Sequence, residues 1–253
     1  MKLQIKKSFS GREIPKNIKF TYDKTSSKRP AWIYVKNLQK NVMFLSTRAN
    51  GKINHYRVYL STTIPLFLPT NYTKEEMEKF YDKFALIYDD EVESRNSKAT
   101  KFLFDKIKVP KNAKILDLGA GSGISSVPLA KMGYENITLL DFSKGMLAKA
   151  KRKKELKNCK FIKQDITKLK LEERYDLIFS IFSFASSSYF DDKEMLKLWK
   201  NVIALLKAKG IIMLMGNDFE PPKNLIKKSK SGKYEIISGY KAQWYIGKKN
   251  TPI

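Results

Sequence analysis

Ile115-Leu116-Asp117-Leu118-Gly119-Ala120-Gly121-Ser122-Gly123 is the stretch whose reading decides the fold. Lys114 to Leu118 is a short apolar strand, three alternate glycines follow, and Ser122 to Met132 reads as a helix. Glycine is needed where a backbone must turn tightly and approach a ligand with no Cβ in the way. A ligand held there lies over the carboxyl ends of the strands, beside the helix N-terminus. A G-x-G-x-x-G dinucleotide motif would place glycine at 124, where this chain has Ile124. That substitution argues against a nicotinamide-dependent oxidoreductase.

Downstream, strand and helix alternate. Ile137 to Asp141 reads as a strand, Gly145 to Leu156 as a helix, and Phe161 to Lys163 and Asp176 to Ile181 as strands. Glu194 to Leu206 reads as a helix and Ile211 to Met215 as a strand. Two more strands, Tyr234 to Ile237 and Gln243 to Ile246, close the chain, with polar Lys223 to Gly232 read as a mobile loop before them. Such alternation predicts an α/β fold: a seven-stranded, mainly parallel sheet with helices on both faces.

Upstream, the character differs. Trp32 to Val35, Val42 to Leu45 and His55 to Leu60 read as strands, with Asn50-Gly51 as a hairpin turn between the last two. Residues 73–108 read as two helices broken near Asp89 to Ser97. The expected division is a basic, β-rich segment over 1–70 and a catalytic domain over 71–253.

Three successive predicted strand ends carry Asp117, Asp141 and Asp165, spaced by 24 residues each. A carboxylate at Asp141 can accept both hydroxyls of a ribose. Three carboxylates facing one pocket disfavour a polyphosphate and suit a ligand that carries positive charge and hydroxyls.

These motifs resemble the class I S-adenosylmethionine-dependent methyltransferases. The pattern is D-x-G-x-G-x-G at 117–123, D-x-S-x-x-M-L at 141–147, Gln164-Asp165-Ile166, Tyr175-Asp176-Leu177 and Leu205-Leu206-Lys207-Ala208-Lys209-Gly210, covering about 100 residues in the family's order. Tyr81-Asp82-Lys83-Phe84-Ala85-Leu86-Ile87-Tyr88-Asp89 is similar to the Y-D-x-x-A-x-x-Y-D helix of many small-molecule methyltransferases, the Williams-Beuren-region type above all. The resemblance implies a Rossmann-like domain binding S-adenosylmethionine. It implies that Gly119, Ala120, Gly121 and Gly123 wall the methionine portion, Asp117 faces the ammonium, and Asp141 binds the ribose hydroxyls. Phe142 and Met146 would lie against adenine, Asp165 would accept its amino hydrogens, and Ile166 would pack on the ring. Ser180 joins the cofactor set, and Tyr81 and Tyr88, seven apart and so on one helix face, would come from a lid.

Methyl transfer from a sulfonium is an in-line displacement in which positioning supplies much of the rate. A base is required only when the nucleophile arrives protonated. Relatives of this family often carry His where this chain has Ala185, and no N-P-P-Y tetrad follows the fourth strand. Tyr189, Asp218 and Glu220 are within sequence reach of the site, and none is assigned as a base.

Composition sets the remaining bounds. The chain has 253 residues, 50 Lys+Arg against 25 Asp+Glu, and a formal net charge of +25. Residues 1–75 hold 15 basic and 3 acidic groups, nearly half of that surplus. One cysteine, Cys159, excludes an intrachain disulfide, and one histidine, His55, argues against a His-based metal site or a Ser-His-Asp triad. No apolar run approaches the ~18 residues of a membrane helix, and no secretory signal is visible, so a cytoplasmic protein is expected. Four functions stay open: a small-molecule methyltransferase, an RNA methyltransferase docking through residues 1–70, a non-catalytic cofactor-binding protein and, least favoured, the oxidoreductase.

Overall fold

The computed structural model describes residues 33–36, 42–49, 52–59, 66–69, 74–86, 88–184, 192–216, 219, 221–237 and 240–250. The chain divides into two compact units, Met1–Ile87 and Tyr88–Ile253.

The first unit holds an antiparallel sheet in the order β1 (Ile33–Lys36), β2 (Val42–Ala49), β3 (Lys52–Tyr59), β4 (Leu66–Pro69), followed by helix α1 (Lys74–Phe84). Strands β2 and β3 pair in a register that closes on Ala49 opposite Lys52. The predicted turn residues Asn50 and Gly51 lie outside the described residues, as does the side chain of His55.

The second unit begins with α2 (Tyr88–Phe104). It continues through β5 (Lys114–Leu118), α3 (Val127–Lys131), β6 (Asn136–Asp141), α4 (Lys144–Lys151), β7 (Lys160–Lys163) and β8 (Tyr175–Ile181). Helix α5 (Asp192–Ala204) and strands β9 (Leu206–Gly216), β10 (Ile226–Ile237) and β11 (Tyr240–Lys249) complete it. The sheet order is β10-β11-β9-β8-β5-β6-β7. Pairs among β7, β6, β5, β8 and β9 are parallel, while β11 runs antiparallel to both β9 and β10. The chain leaves β5 toward β6 and β7, then returns to β8 on the other side of β5. That reversal opens a crevice at the carboxyl ends of β5 and β8.

Alternation along each strand builds two cores. Ile115, Leu139, Leu177, Phe179, Met213 and Met215 face one side with Leu103 of α2, Leu129 of α3 and Ala150 of α4. Leu116, Leu118, Ile178, Ile212 and Leu214 face the other with Leu198, Trp199 and Val202 of α5. Period-two side-chain placement makes a strand buried on both faces read as one continuous apolar run, which is why these strands were legible. Helices therefore cover both faces, as expected.

Four local expectations are corrected. The break between the first two helices falls at 85–87 and not at Asp89 to Ser97. The acids Asp89, Asp90 and Glu91 stand in the first turn of α2, where the helix dipole favours negative charge. Tyr81 and Tyr88 consequently lie on different helices. Helix α3 starts at Val127, not Ser122: positive φ at Gly119, Gly121 and Gly123 keeps the loop out of helical geometry, and Pro128 fits only in a first turn. Helix α4 ends at Lys151, with a separate 3-10 turn at Lys154–Leu156. Lys223 to Gly232 is not a loop throughout, since β10 starts at Ile226 and pairs with β11 along its length. Tertiary pairing overrides its polar composition, and lysines are a usual edge-strand residue.

Candidate functional site

Leu118 ends β5, and the chain turns at once on Gly119, φ +74°. The Gly119 and Ala120 N–H groups both donate to Leu140 O, at 2.8 and 2.9 Å, tying the loop to the end of β6. A Cβ at Gly119 would collide with the Ser183 side chain, whose Oγ donates to Gly119 O at 2.7 Å. Gly121, φ +54°, lies under the ring of Tyr88, which a Cβ there would approach to 3.6 Å. Gly123, φ +77°, meets Leu156, Leu139 and Ala150, so its lack of a side chain allows helix α4 to pack close to the sheet.

Asp141 ends β6 and is 6% exposed. Its Oδ2 accepts the Gly121 N–H at 2.8 Å and its Oδ1 the Ser143 N–H at 2.8 Å. Ser143 in turn caps α4, accepting the Met146 N–H at 3.0 Å. The carboxylate is thus oriented by two backbone donors from two different loops.

Asp117 points from β5 into the same region and is 1% exposed. Its Oδ2 accepts a 2.7 Å hydrogen bond from Ser126 Oγ. Burial pushes its carboxyl up to about 7; the Ser126 bond opposes the shift and the charge of Asp141 adds to it. Burial, with Asp117 adding, likewise pushes the Cys159 thiol up to about 11. Cys159 is packed against the apolar core, as expected of a small hydrophobe.

Asp165 follows β7, and its Oδ1 accepts both the N–H and the Oγ1–H of Thr167 at 2.8 Å. It caps the 3-10 turn Ile166–Lys168. The Gln164 N–H donates to Asp141 O at 3.0 Å, which brings this turn beside Asp141. Phe142 and Ile166 are half-buried, Ile166 against the core, and Met146 is buried.

Ser180, near the end of β8, donates to Leu118 O at 2.7 Å and accepts the Phe184 N–H at 3.0 Å. Its hydroxyl proton is committed to joining β5 to β8. Tyr81 packs its ring edge-on to Phe80 at 5.2 Å within the first unit. Ala185, Tyr189, Asp218 and Glu220 lie outside the described residues. Ser126, Ser143 and Ser183, which fix Asp117, α4 and Gly119, were not singled out from the sequence. Only the D-x-S spacing at 141–143 carried a signal for any of them.

The loop fits an amino-acid nucleoside with a positive charge. It offers a cradle that a Cβ at Gly121 would enter, a buried carboxylate, a second carboxylate aimed by backbone N–H groups, and the buried Ser122 Oγ, which has no hydrogen-bond partner. A buried hydroxyl without a partner is costly and suits a site completed by a ligand.

Residues 115–210 match the methyltransferase domain family. Over those residues the chain is similar to the S-adenosylmethionine-dependent methyltransferases, and its fold is theirs. A malonyl-[acyl-carrier protein] O-methyltransferase of Bacillus anthracis is 28% identical over 144 residues, covering 55% of this chain and 52% of that protein. Malonyl-[acyl-carrier protein] O-methyltransferase 2 of Ilyobacter polytropus is 32% identical over 145 residues, 55% of this chain and 53% of that protein. The chain spans about half the length of the curated relatives it matches. Among solved structures, a DhpI–SAH complex superposes with a TM-score of 0.55 at 16% identity, over 71% of this chain and 97% of that one. Magnesium protoporphyrin IX methyltransferase from Synechocystis PCC 6803 with bound SAM gives a TM-score of 0.51 at 16% identity, over 64% and 83%. These structural likenesses establish the methyltransferase fold; they single out no Williams-Beuren-type specificity and lend no support to an RNA acceptor. Among the described residues no helix is long and apolar enough to cross a membrane.

Proposed function

We propose that this protein transfers a methyl group from S-adenosylmethionine to a carboxylate oxygen of a small or carrier-linked acyl group. The observation that carries the cofactor half is the doubly anchored Asp141 carboxylate beside the buried Asp117. Asp141, held by Gly121 and Ser143, accepts the ribose hydroxyls. Asp117 stands where a cationic ammonium offsets the cost of its buried charge. Tyr88, on Gly121, excludes water from the methionine side of the loop. Phe142, Met146, Asp165 and Ile166 supply the adenine side.

The acceptor half is supported by the relatives named as malonyl-[acyl-carrier protein] O-methyltransferases. When bound, S-adenosylmethionine supplies a methyl group on a sulfonium sulfur, a good leaving group. A carboxylate, ionised at neutral pH, arrives as its own nucleophile and requires no general base. Its oxygen forms the new O–C bond as the S–C bond breaks and the electron pair returns to sulfur; no proton moves. The chain's task is to align acceptor and cofactor and to keep water out.

Two measurements test this. Calorimetry with S-adenosylhomocysteine is expected to show binding that Asp141→Ala abolishes. Incubation with methyl-labelled S-adenosylmethionine and a malonyl thioester is expected to give a base-labile methyl ester. Binding without any labelled product would leave a cofactor-binding protein and end the enzymatic reading.

A further inference from the structure

Arginine is scarce in this lysine-rich chain, 7 of its 50 basic residues. Arg95 lies on α2, seven residues after Tyr88. Seven residues are nearly two full turns, so the two side chains leave the same helix face about 10.5 Å apart. Tyr88 rests on Gly121 of the cofactor loop. Arg95 rests on Phe182, its guanidinium carbon 4.5 Å from the ring centroid.

Phe182 is held there at a cost. It is the one non-glycine residue with positive φ, +58°, among the described residues. Such a conformation persists only when its surroundings over-determine it. Here they do. The Phe182 N–H donates to Met215 O at 2.7 Å, Ser183 Oγ donates to Gly119 O at 2.7 Å, and the Phe184 N–H donates to Ser180 Oγ at 3.0 Å. The first residue past β8 is thereby fixed to the ends of both neighbouring strands, at the crevice where the sheet order reverses.

The guanidinium is also held edge-on. Its Nε–H donates to Asn96 Oδ1 at 2.9 Å, and Asn96 is 3% exposed. The terminal nitrogens form no ion pair and no hydrogen bond with any described residue. A half-buried arginine is normally met by a carboxylate. This one is stacked and anchored at Nε, and among the described residues nothing meets its planar fork, the arrangement that receives two coplanar oxygens.

We propose that Arg95 is the specificity-determining anchor for the acceptor's carboxylate and that Phe182 is the platform that aims it. The assignment rests on the methyl-transfer reading for what is bound beside it. One face of α2 then touches the cofactor loop with Tyr88 and the acceptor with Arg95, and sets the distance between them. Lysine would not substitute, because an ammonium lacks both the stack and the fork.

The test is calorimetric titration of the full chain, saturated with S-adenosylhomocysteine, with the N-acetylcysteamine thioester of malonate. The neutral acetyl thioester is the control. The wild type is expected to bind the malonyl thioester, Arg95→Met to weaken it about tenfold or more, and Arg95→Lys to fall between. The acetyl thioester is expected to be indifferent to either change. Equal malonyl affinity in wild type and R95M, or no malonyl binding by the wild type, overturns the proposal. Unchanged S-adenosylhomocysteine affinity certifies the fold of each variant, and R95K carries the test should R95M fail it. Arg95-dependent malonyl binding without methyl-ester product would leave the anchor standing and bring down the methyl-transfer reading alone.

Discussion

Ser126 Oγ donates a 2.7 Å hydrogen bond to Asp117 Oδ2, and both residues are buried, at 0% and 1% exposure. One hydroxyl is little compensation for a carboxylate removed from water, so Asp117 titrates near 7 and not near 3.8. Cofactor affinity is expected to fall as pH falls through about 7, because protonated Asp117 no longer complements an ammonium. Ser126→Ala removes the bond that opposes the upward shift and is expected to move that midpoint higher. Titrations of S-adenosylmethionine binding between pH 5.5 and 8.5 (a range spanning roughly 1.5 units either side of the midpoint) read both effects.

The same group makes stability depend on pH. Unfolded, Asp117 loses its proton near 3.8; folded, near 7. Between those values the folded chain holds a proton that the unfolded chain lacks, so stability declines as pH rises through this window and levels off above it. Asp117→Asn is expected to relieve that decline. Its urea midpoint should exceed the wild type's at pH 8 by more than at pH 5, while cofactor affinity drops.

Asp141 does two jobs, and two substitutions separate them. Asp141→Ala leaves the Gly121 and Ser143 N–H groups without their acceptors, a cost of about 1–3 kcal/mol each where no water replaces it. Asp141→Asn retains one acceptor oxygen and is expected to lose less stability. Both are expected to lose cofactor affinity by about tenfold or more. Chemical denaturation and calorimetry on the pair distinguish the structural from the binding role.

Gly123 and Gly133 share positive φ, +77° and +82°, but differ in surroundings. A Cβ at Gly133 meets nothing within 4 Å, so Gly133→Ala is expected to cost only the left-handed backbone term, about 1–2 kcal/mol. At Gly123 the methyl would press on Leu156, Leu139 and Ala150, adding about 1–3 kcal/mol of overpacking. Urea midpoints of the two variants are expected to rank accordingly.

Ser180→Ala is expected to destabilise the fold by about 1–3 kcal/mol, since it strands the buried Phe184 N–H and Leu118 O. Its effect on S-adenosylhomocysteine affinity is expected to be smaller than that of Asp141→Ala. A reversed ranking would make Ser180 a direct cofactor contact.

Much of this fold could be read before it was seen because buried parallel strands are apolar on both faces. Ile115 to Leu118, Ile137 to Leu140 and Leu177 to Ile181 declare themselves in that way. The strand ends declared Asp117, Asp141 and Asp165 because acids break those runs. What was illegible depended on neighbours. The lysines of β10 look like a loop until β11 is alongside, and the acids at 89–91 look like a break until they are counted from the start of a helix. Ser126 reaches Asp117 across a turn whose shape comes from glycine φ angles and not from spacing. Arg95 gave no periodic signal; its rarity in a lysine-rich chain was the available clue.

Strand β10 ends the sheet with Lys227, Lys228, Lys230 and Lys233 all exposed. Among the described residues no strand pairs with its outer backbone row, an opening for a second chain. Four like charges on each copy answer it with repulsion, a barrier that acts before any contact is made. The barrier is ionic and therefore has a range, about 10 Å at 0.1 M salt and about 3 Å at 1 M. Part of the chain's large positive surplus thus stands at a sheet edge, where its repulsion of a like edge weakens as salt rises.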